Sequence, residues 1–154
     1  MPGDIDADVA ERVGRAVVLQ TRARKVVVGR DMRGSSPEFA AAVIRGVTAQ
    51  GADAVDIGLA TTPMFNFAVV SSFKEVPHLV PSERLGAFGR DASSAGAGIM
   101  VSASHNPAKY NGFKMDYGDG LPIGVETGMP EIARSVERMM HGVLSAGDGM
   151  VTSQ

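Results

Sequence analysis

Apolar positions along the chain change period several times, and each change predicts an element. From Ala7 to Gln20, Val9, Ala10, Val13, Ala16 and Val17 recur at helical spacing, with Asp6 or Asp8 placed to cap the first turn. Lys25 to Gly29 then reads Lys-Val-Val-Val-Gly, a β-branched run of the kind that fills a buried parallel strand. Ser36 is placed to cap a second helix, with Pro37 at its first position and Glu38 in its first turn. Phe39, Val43, Ile44 and Val47 share one face of that helix, and Gly51 provides its stop. Ala54 to Gly58 reads as the next strand, and Thr62-Pro63 opens a shorter helix carrying Phe65 and Val69. Gly98 to Ser102 supplies a third strand and Phe113 to Asp116 a short fourth. Thr127 is the expected cap of a last helix, Met129 to His141, with Ile132, Val136 and Met139 inward.

Strand and helix alternate, which is the pattern of an α/β fold. The expectation is one three-layer α/β/α domain over residues 1–144, with a mostly parallel mixed sheet and right-handed crossovers. A long loop is expected at about 71–94, where no period holds, and a frayed tail over 145–154.

Composition narrows the function classes. The 154 residues are 44% apolar and 21% charged, close to the average soluble chain, and enough to build a core without staples. Zero cysteines exclude a disulfide framework, a thiolate metal site and a cysteine nucleophile, and fit a cytoplasmic protein. A net charge of −2 removes the electrostatic case for nucleic-acid binding. No apolar run approaches the ~18 residues of a membrane span, and Met1 to Asp8 is acidic rather than leader-like. Gly96 and Gly98 do not complete a dinucleotide fingerprint, and no Gly-x-Ser-x-Gly elbow is present. Met32, Met64, Met100, Met115, Met129, Met139 and Met140 read as gap-filling core or interface side chains. His78 and His141 read as exposed or capping residues.

The densest polar cluster follows the third strand, from Val101-Ser102-Ala103-Ser104-His105-Asn106-Pro107 to Tyr110-Asn111-Gly112-Phe113-Lys114. Loops at the carboxyl edge of an open α/β sheet are where such folds bind ligands. Pro107 keeps Asn106 out of the helical region, and Asn111-Gly112 supplies a second turn. A serine nucleophile needs a proton acceptor and a way to stabilise charge; His105 and Lys114 offer both. The same residue types also form plain hydrogen-bonded turns.

This stretch resembles the phosphoserine loop of the α-D-phosphohexomutase superfamily, where Thr/Ser-Ala-Ser-His-Asn-Pro precedes Asn-Gly-Phe/Ile-Lys. Val26-Val27-Val28-Gly29-Arg30-Asp31-Met32-Arg33-Gly34-Ser35-Ser36 is similar to the family's first-strand Gly-Arg-Asp-x-Arg-x-Ser segment. Asp56-Ile57-Gly58-Leu59 and Thr61-Thr62-Pro63-Met64 resemble its second strand and following helix. Gly124-Val125-Glu126-Thr127-Gly128 resembles a stretch of the phosphomannomutase/phosphoglucomutase branch. The likeness extends over about residues 10 to 140.

The resemblance implies an intramolecular phosphotransferase that moves phosphate between carbons 1 and 6 of a hexose through a 1,6-bisphosphate. Ser104 would carry the phosphoryl group, with Lys114 as candidate general base and His105 as its partner. Arg30, Asp31, Arg33, Asn106 and Asn111 would bind phosphate or substrate. Mg²⁺ is the implied cofactor, held at Ser104 through its phosphoryl group and otherwise by aspartates of a second domain. Asp116-Tyr117-Gly118-Asp119-Gly120 lies in the wrong place for that metal loop and reads as a turn. The implied partners are hexose phosphates and domains II to IV, with no nucleic acid and no membrane. The chain then corresponds to domain I alone, a truncated form inactive by itself. The rival readings are a phosphoglucosamine mutase domain and a non-catalytic phosphosugar-binding or interaction module.

Overall fold

The computed structural model describes residues 5–73 and 96–142. Eight elements follow in chain order: α1 (Ala7–Thr21), β1 (Lys25–Arg30), α2 (Ser36–Ala49), β2 (Asp53–Leu59), α3 (Thr62–Ser72), β3 (Gly96–Val101), β4 (Phe113–Tyr117) and α4 (Met129–Met140). They form a four-stranded sheet in the order β2-β1-β3-β4, in which β1 runs parallel to β2 and β3, and β4 antiparallel to β3. The expected mostly parallel mixed sheet between helical layers is what the chain builds. α3 runs through Ser72, so the first two positions of the expected 71–94 loop are helical; residues 74–95, His78 and the expected tail at 145–154 lie outside the described residues.

Alternation along β1 assigns the layers. Val26 and Val28 face a large core shared with Val13 and Val17 of α1, Val43 and Val47 of α2, and Ile132 of α4. Val27 faces the other way, against Phe65 and Val69 of α3 and Met100 of β3. β3 is buried along its whole length, as a central strand covered on both faces must be. On the first side α1 and α2 approach closely at glycines: a Cβ on Gly46 would overlap the Glu11 carbonyl, and one on Gly14 the Val43 carbonyl. α4 is tied to α1 where Gln20 Nε2 donates to Ser135 Oγ at 2.7 Å.

Two expected caps differ. Asp6 caps α1 as read, accepting from the Val9 amide at 2.8 Å. Ser36, expected to cap α2, lies inside the helix and is fully buried, and its hydroxyl donates instead to Asp31 Oδ1 at 2.6 Å. Thr127 is not the cap of α4 either; Gly128 is, while Thr127 Oγ1 accepts from the Gly124 amide in the preceding turn. Of the methionines, Met100 and Met115 are core, but Met32, Met64 and Met140 are more than half exposed. His141 is exposed at the end of α4, as read.

Because β1 and β3 are parallel neighbours, their carboxyl ends open on the same edge, joined where the Asp31 amide donates to the Val101 carbonyl at 3.0 Å. The segments 31–35 and 102–112 leave the sheet together at that point.

Candidate active site

β3 and β4 are antiparallel, so the polar segment 102–112 is the connection of a long hairpin, with Phe113 returning opposite Val101. Its base is closed where the Ser102 amide donates to the Gly112 carbonyl at 2.9 Å. Two inner turns follow, from the Asn106 amide to the Ala103 carbonyl and from the Tyr110 amide to the Pro107 carbonyl. Every residue from Ser104 to Tyr110 is exposed.

Ser104 occupies the left-handed region at φ 53°, which few non-glycine residues adopt. Its amide donates to Ser102 Oγ at 3.1 Å, and its own hydroxyl makes no hydrogen bond among the described residues. His105 beside it is exposed and equally free of side-chain partners there. The Ser104 hydroxyl and the His105 imidazole are therefore presented to solvent and are not hydrogen-bonded to each other. Lys114 is half-buried on β4, opposite Met100 and two positions before Asp116 on the same face of the sheet. Burial pushes the Asp116 carboxyl above its ordinary value; the Lys114 charge partly offsets this and Asp119 adds to it.

The loop is fastened from the β1 side by a single guanidinium. Arg33 Nη1 donates to the carbonyls of Pro107 at 2.8 Å and Tyr110 at 3.1 Å, and Nη2 to those of Ser104 and Asn106, both at 2.8 Å. Its Nε donates to Asp31 Oδ2 at 2.9 Å. A guanidinium has five N–H donors, and all five are taken, so none is left for a phosphate in this arrangement. Asp31 also accepts from the Arg33 amide at 3.1 Å and from Ser36 Oγ. Burial favours the protonated acid at Asp31, but hydrogen bonds from Ser36, the Arg33 amide, Ser102 and the Arg33 side chain outweigh it and hold the carboxyl below its ordinary value.

Asn111, expected at the substrate, is also spent on the protein: its amide donates to Ser35 and Ser36 Oγ, both at 2.9 Å, and its oxygen accepts from the Gly112 amide. The side chains of Arg30, at the end of β1, and of Asn106 have no hydrogen-bond or ion-pair partner among the described residues. The site residues thus divide into Ser104, His105, Asn106, Arg30 and Lys114, which remain available, and Asp31, Arg33 and Asn111, which build the loop's support. Ser36 and Ser102 belong to that support and were missed; the recurrence of serine at both strand ends was their only signal. Among the described residues no three His, Cys, Asp or Glu side chains converge on a metal position. Asp116 to Gly120 ends β4 in a turn, closed by the Gly120 amide on the Tyr117 carbonyl.

Residues 1–141 match the family model for phosphoglucomutase/phosphomannomutase, alpha/beta/alpha domain I. A probable phosphoglucosamine mutase of Methanopyrus kandleri is 37% identical over 137 residues, which are 89% of this chain and 25% of that protein. A phosphomannomutase of Klebsiella pneumoniae is 35% identical over 134 residues, 87% of this chain and 72% of its own length. The crystal structure of a phosphoglucomutase/phosphomannomutase family protein from Burkholderia thailandensis superposes with a TM-score of 0.65 at 33% identity, covering 96% of this chain and 29% of that one. The chain spans about a quarter of the length of the Methanopyrus protein and of the phosphohexose mutases of Xanthomonas campestris. By sequence, by fold and by the loop between β3 and β4, the chain belongs to the phosphoglucomutase/phosphomannomutase family, of which it is the α/β/α domain I.

Proposed function

We propose that this chain is the phosphoserine-bearing domain of a phosphohexomutase acting on mannose or glucose phosphates, with Ser104 as the residue that carries the phosphoryl group. One observation carries the reading: Ser104 stands in a left-handed turn at the exposed rim of the sheet, its hydroxyl free and its backbone anchored. In the forward step a hydroxyl of the hexose monophosphate attacks phosphoserine phosphorus. The bond from phosphorus to Ser104 Oγ breaks, a bond to the sugar oxygen forms, and the proton taken from the sugar hydroxyl is balanced by one delivered to the departing Ser104 oxygen. Lys114 is the candidate to take that proton, with exposed His105 orienting the substrate or sharing the acid–base work. Arg30 and Asn106 have the free donors to meet phosphate oxygens. The bisphosphate then turns in the site and returns its other phosphate to Ser104.

Phosphoryl transfer is mainly positioning and charge stabilisation, and Mg²⁺ would supply Lewis-acid stabilisation of the transferring group. The residues of this chain do not fit a Mg²⁺ site by themselves. Ser104 and its phosphate offer one corner of the roughly octahedral oxygen set that the ion demands. A second reading, phosphoglucosamine as substrate, is favoured by the name of the Methanopyrus relative.

The test is covalent labelling. The chain, completed with domains II to IV of a family enzyme and supplied with Mg²⁺, is incubated with labelled glucose 1,6-bisphosphate and the label mapped by mass spectrometry. The expected result is one phosphate on Ser104, abolished in Ser104→Ala. Label that persists in Ser104→Ala removes the assignment, and faster labelling from glucosamine 1,6-bisphosphate moves the substrate to the second reading.

A further inference from the structure

Arg33 combines full hydrogen-bond occupancy with a position behind the nucleophile rather than in front of it. We propose that Arg33 is a positioning residue that touches no phosphate and instead aims the backbone of the Ser104 loop, so that peptide N–H groups beside the nucleophile face the incoming anion. The consequence for catalysis rests on the phosphoserine reading above; the clamp itself rests on geometry alone.

The geometry of the peptide unit fixes where these N–H groups point. No peptide bond here is cis, and in a trans unit the C=O and the following N–H point in opposite directions. Arg33 draws the carbonyls of Ser104 and Pro107 toward itself. The N–H groups of His105 and Ala108, which belong to the same peptide units, must then point away from the guanidinium. Neither N–H has an acceptor among the described residues. The His105 N–H, directly after Ser104, and that of Ala108 further along the exposed loop are thus left as open donors, an arrangement that attracts anions. The Asn106 carbonyl is drawn in likewise, and the next residue is Pro107, which has no N–H to strand.

The clamp is built to be stiff. The guanidinium side chain is 9% exposed, and its Nε is held by Asp31, itself held by Ser36 from inside α2. Lysine at this position would keep the charge, but its three donors radiate from one atom and cannot reach four carbonyls and a carboxylate as a planar fork does. Ser104 gives up and regains a phosphate within one turnover. A loop set by Arg33 instead of by the phosphate keeps its shape through both states.

The experiment has two arms, the first on the chain as it stands and the second on the chain completed with domains II to IV of a family enzyme and Mg²⁺. In the first, amide hydrogen exchange is compared between wild type and Arg33→Lys. The amides of Asn106 and Tyr110, which close the inner turns, are expected to exchange at least about tenfold faster in the variant, while those of β1 and α1 stay unchanged. Equal protection in the two proteins overturns the clamp. In the second arm, Ser104 is phosphorylated with labelled glucose 1,6-bisphosphate across a range of concentrations. The maximal rate is expected to fall about 10²-fold in Arg33→Lys with little change in the half-saturating concentration. A raised half-saturating concentration at an unchanged maximal rate would make Arg33 a phosphate ligand and overturn the proposal. A wild type that takes no label defeats the phosphoserine reading, whereas the exchange arm still decides the clamp. If Arg33→Lys loses β1 protection as well, Asp31→Asn, which frees Nε from its carboxylate, supplies the same readouts at smaller size.

Discussion

The sheet and the loop it carries are held by different means. Below Val101, the central strands β1 and β3 are fixed by apolar packing on both faces, with Val26, Val27, Val28 and Ile99 fully removed from solvent. Above it, Ser104 to Tyr110 are all exposed, and the loop keeps its shape through one guanidinium, one carboxylate and a few hydroxyls and amides. Dispersion and burial tolerate small errors of direction, but they need water to be absent. An exposed loop cannot exclude water, so its geometry is set by directional bonds to backbone carbonyls. Damage to the first region should therefore appear as lost stability, and damage to the second as lost aim in a folded protein.

The largest expected effect on the packing side is Phe65→Ala. Phe65 is 1% exposed and is the bulkiest member of the small core under α3. Its truncation should cost about 3–5 kcal/mol in urea unfolding, the usual range for a buried phenylalanine. A loss under about 1 kcal/mol would mean that α3 contributes little to the fold and would break the comparison. A smaller loss is expected for Gly46→Ala. The added methyl must push α2 off the Glu11 carbonyl of α1, at about 1–3 kcal/mol, read from the same unfolding curves. An unchanged midpoint would show that the two helices separate freely.

The smallest effect sharpens the polar side and is read against pH. Asp31 is held below its ordinary value in the fold, so its bonds stabilise the protein above the unfolded pKa of about 3.9. That contribution is lost as pH falls through the lower, folded pKa. Asp116 acts in the opposite sense: its raised folded pKa means that acidification relieves a cost. Comparing wild type with Asp31→Asn cancels Asp116. The variant should be less stable near neutrality, and the gap should close as the medium is acidified toward pH 2. Parallel curves for the two proteins would show that Asp31 does not anchor the loop.

Periodicity made the layers readable: three β-branched residues in β1 and the 3.6-residue recurrence of Val13 and Val17 leave few alternatives to a covered sheet. The caps were less readable where a competing partner existed. Ser36 has the right residue type and neighbours for a helix start, but Asp31 five positions earlier offers its hydroxyl a charged acceptor, and the helix begins around it. The motif residues gather at one sheet edge, but residue type alone does not show which of their donors and acceptors stay open. Arg33 and Asn111 look like ligands for an anion because they carry donors. What occupies those donors includes backbone carbonyls up to 77 positions away for Arg33, and carbonyls leave no mark in a sequence. Availability, unlike residue type, is a property of the folded neighbourhood.

With Ser104 as the proposed phosphoryl carrier, its left-handed turn also acts as a stereochemical filter on the residue that can serve there. Threonine offers the same hydroxyl and could carry the same phosphate, but its branched Cβ makes a positive φ a true outlier. Glycine would relax the turn and bring no oxygen. Among hydroxyl-bearing aliphatic side chains, only the unbranched one satisfies both the backbone and the chemistry, so the choice of serine at this corner is made by chain geometry as much as by reactivity.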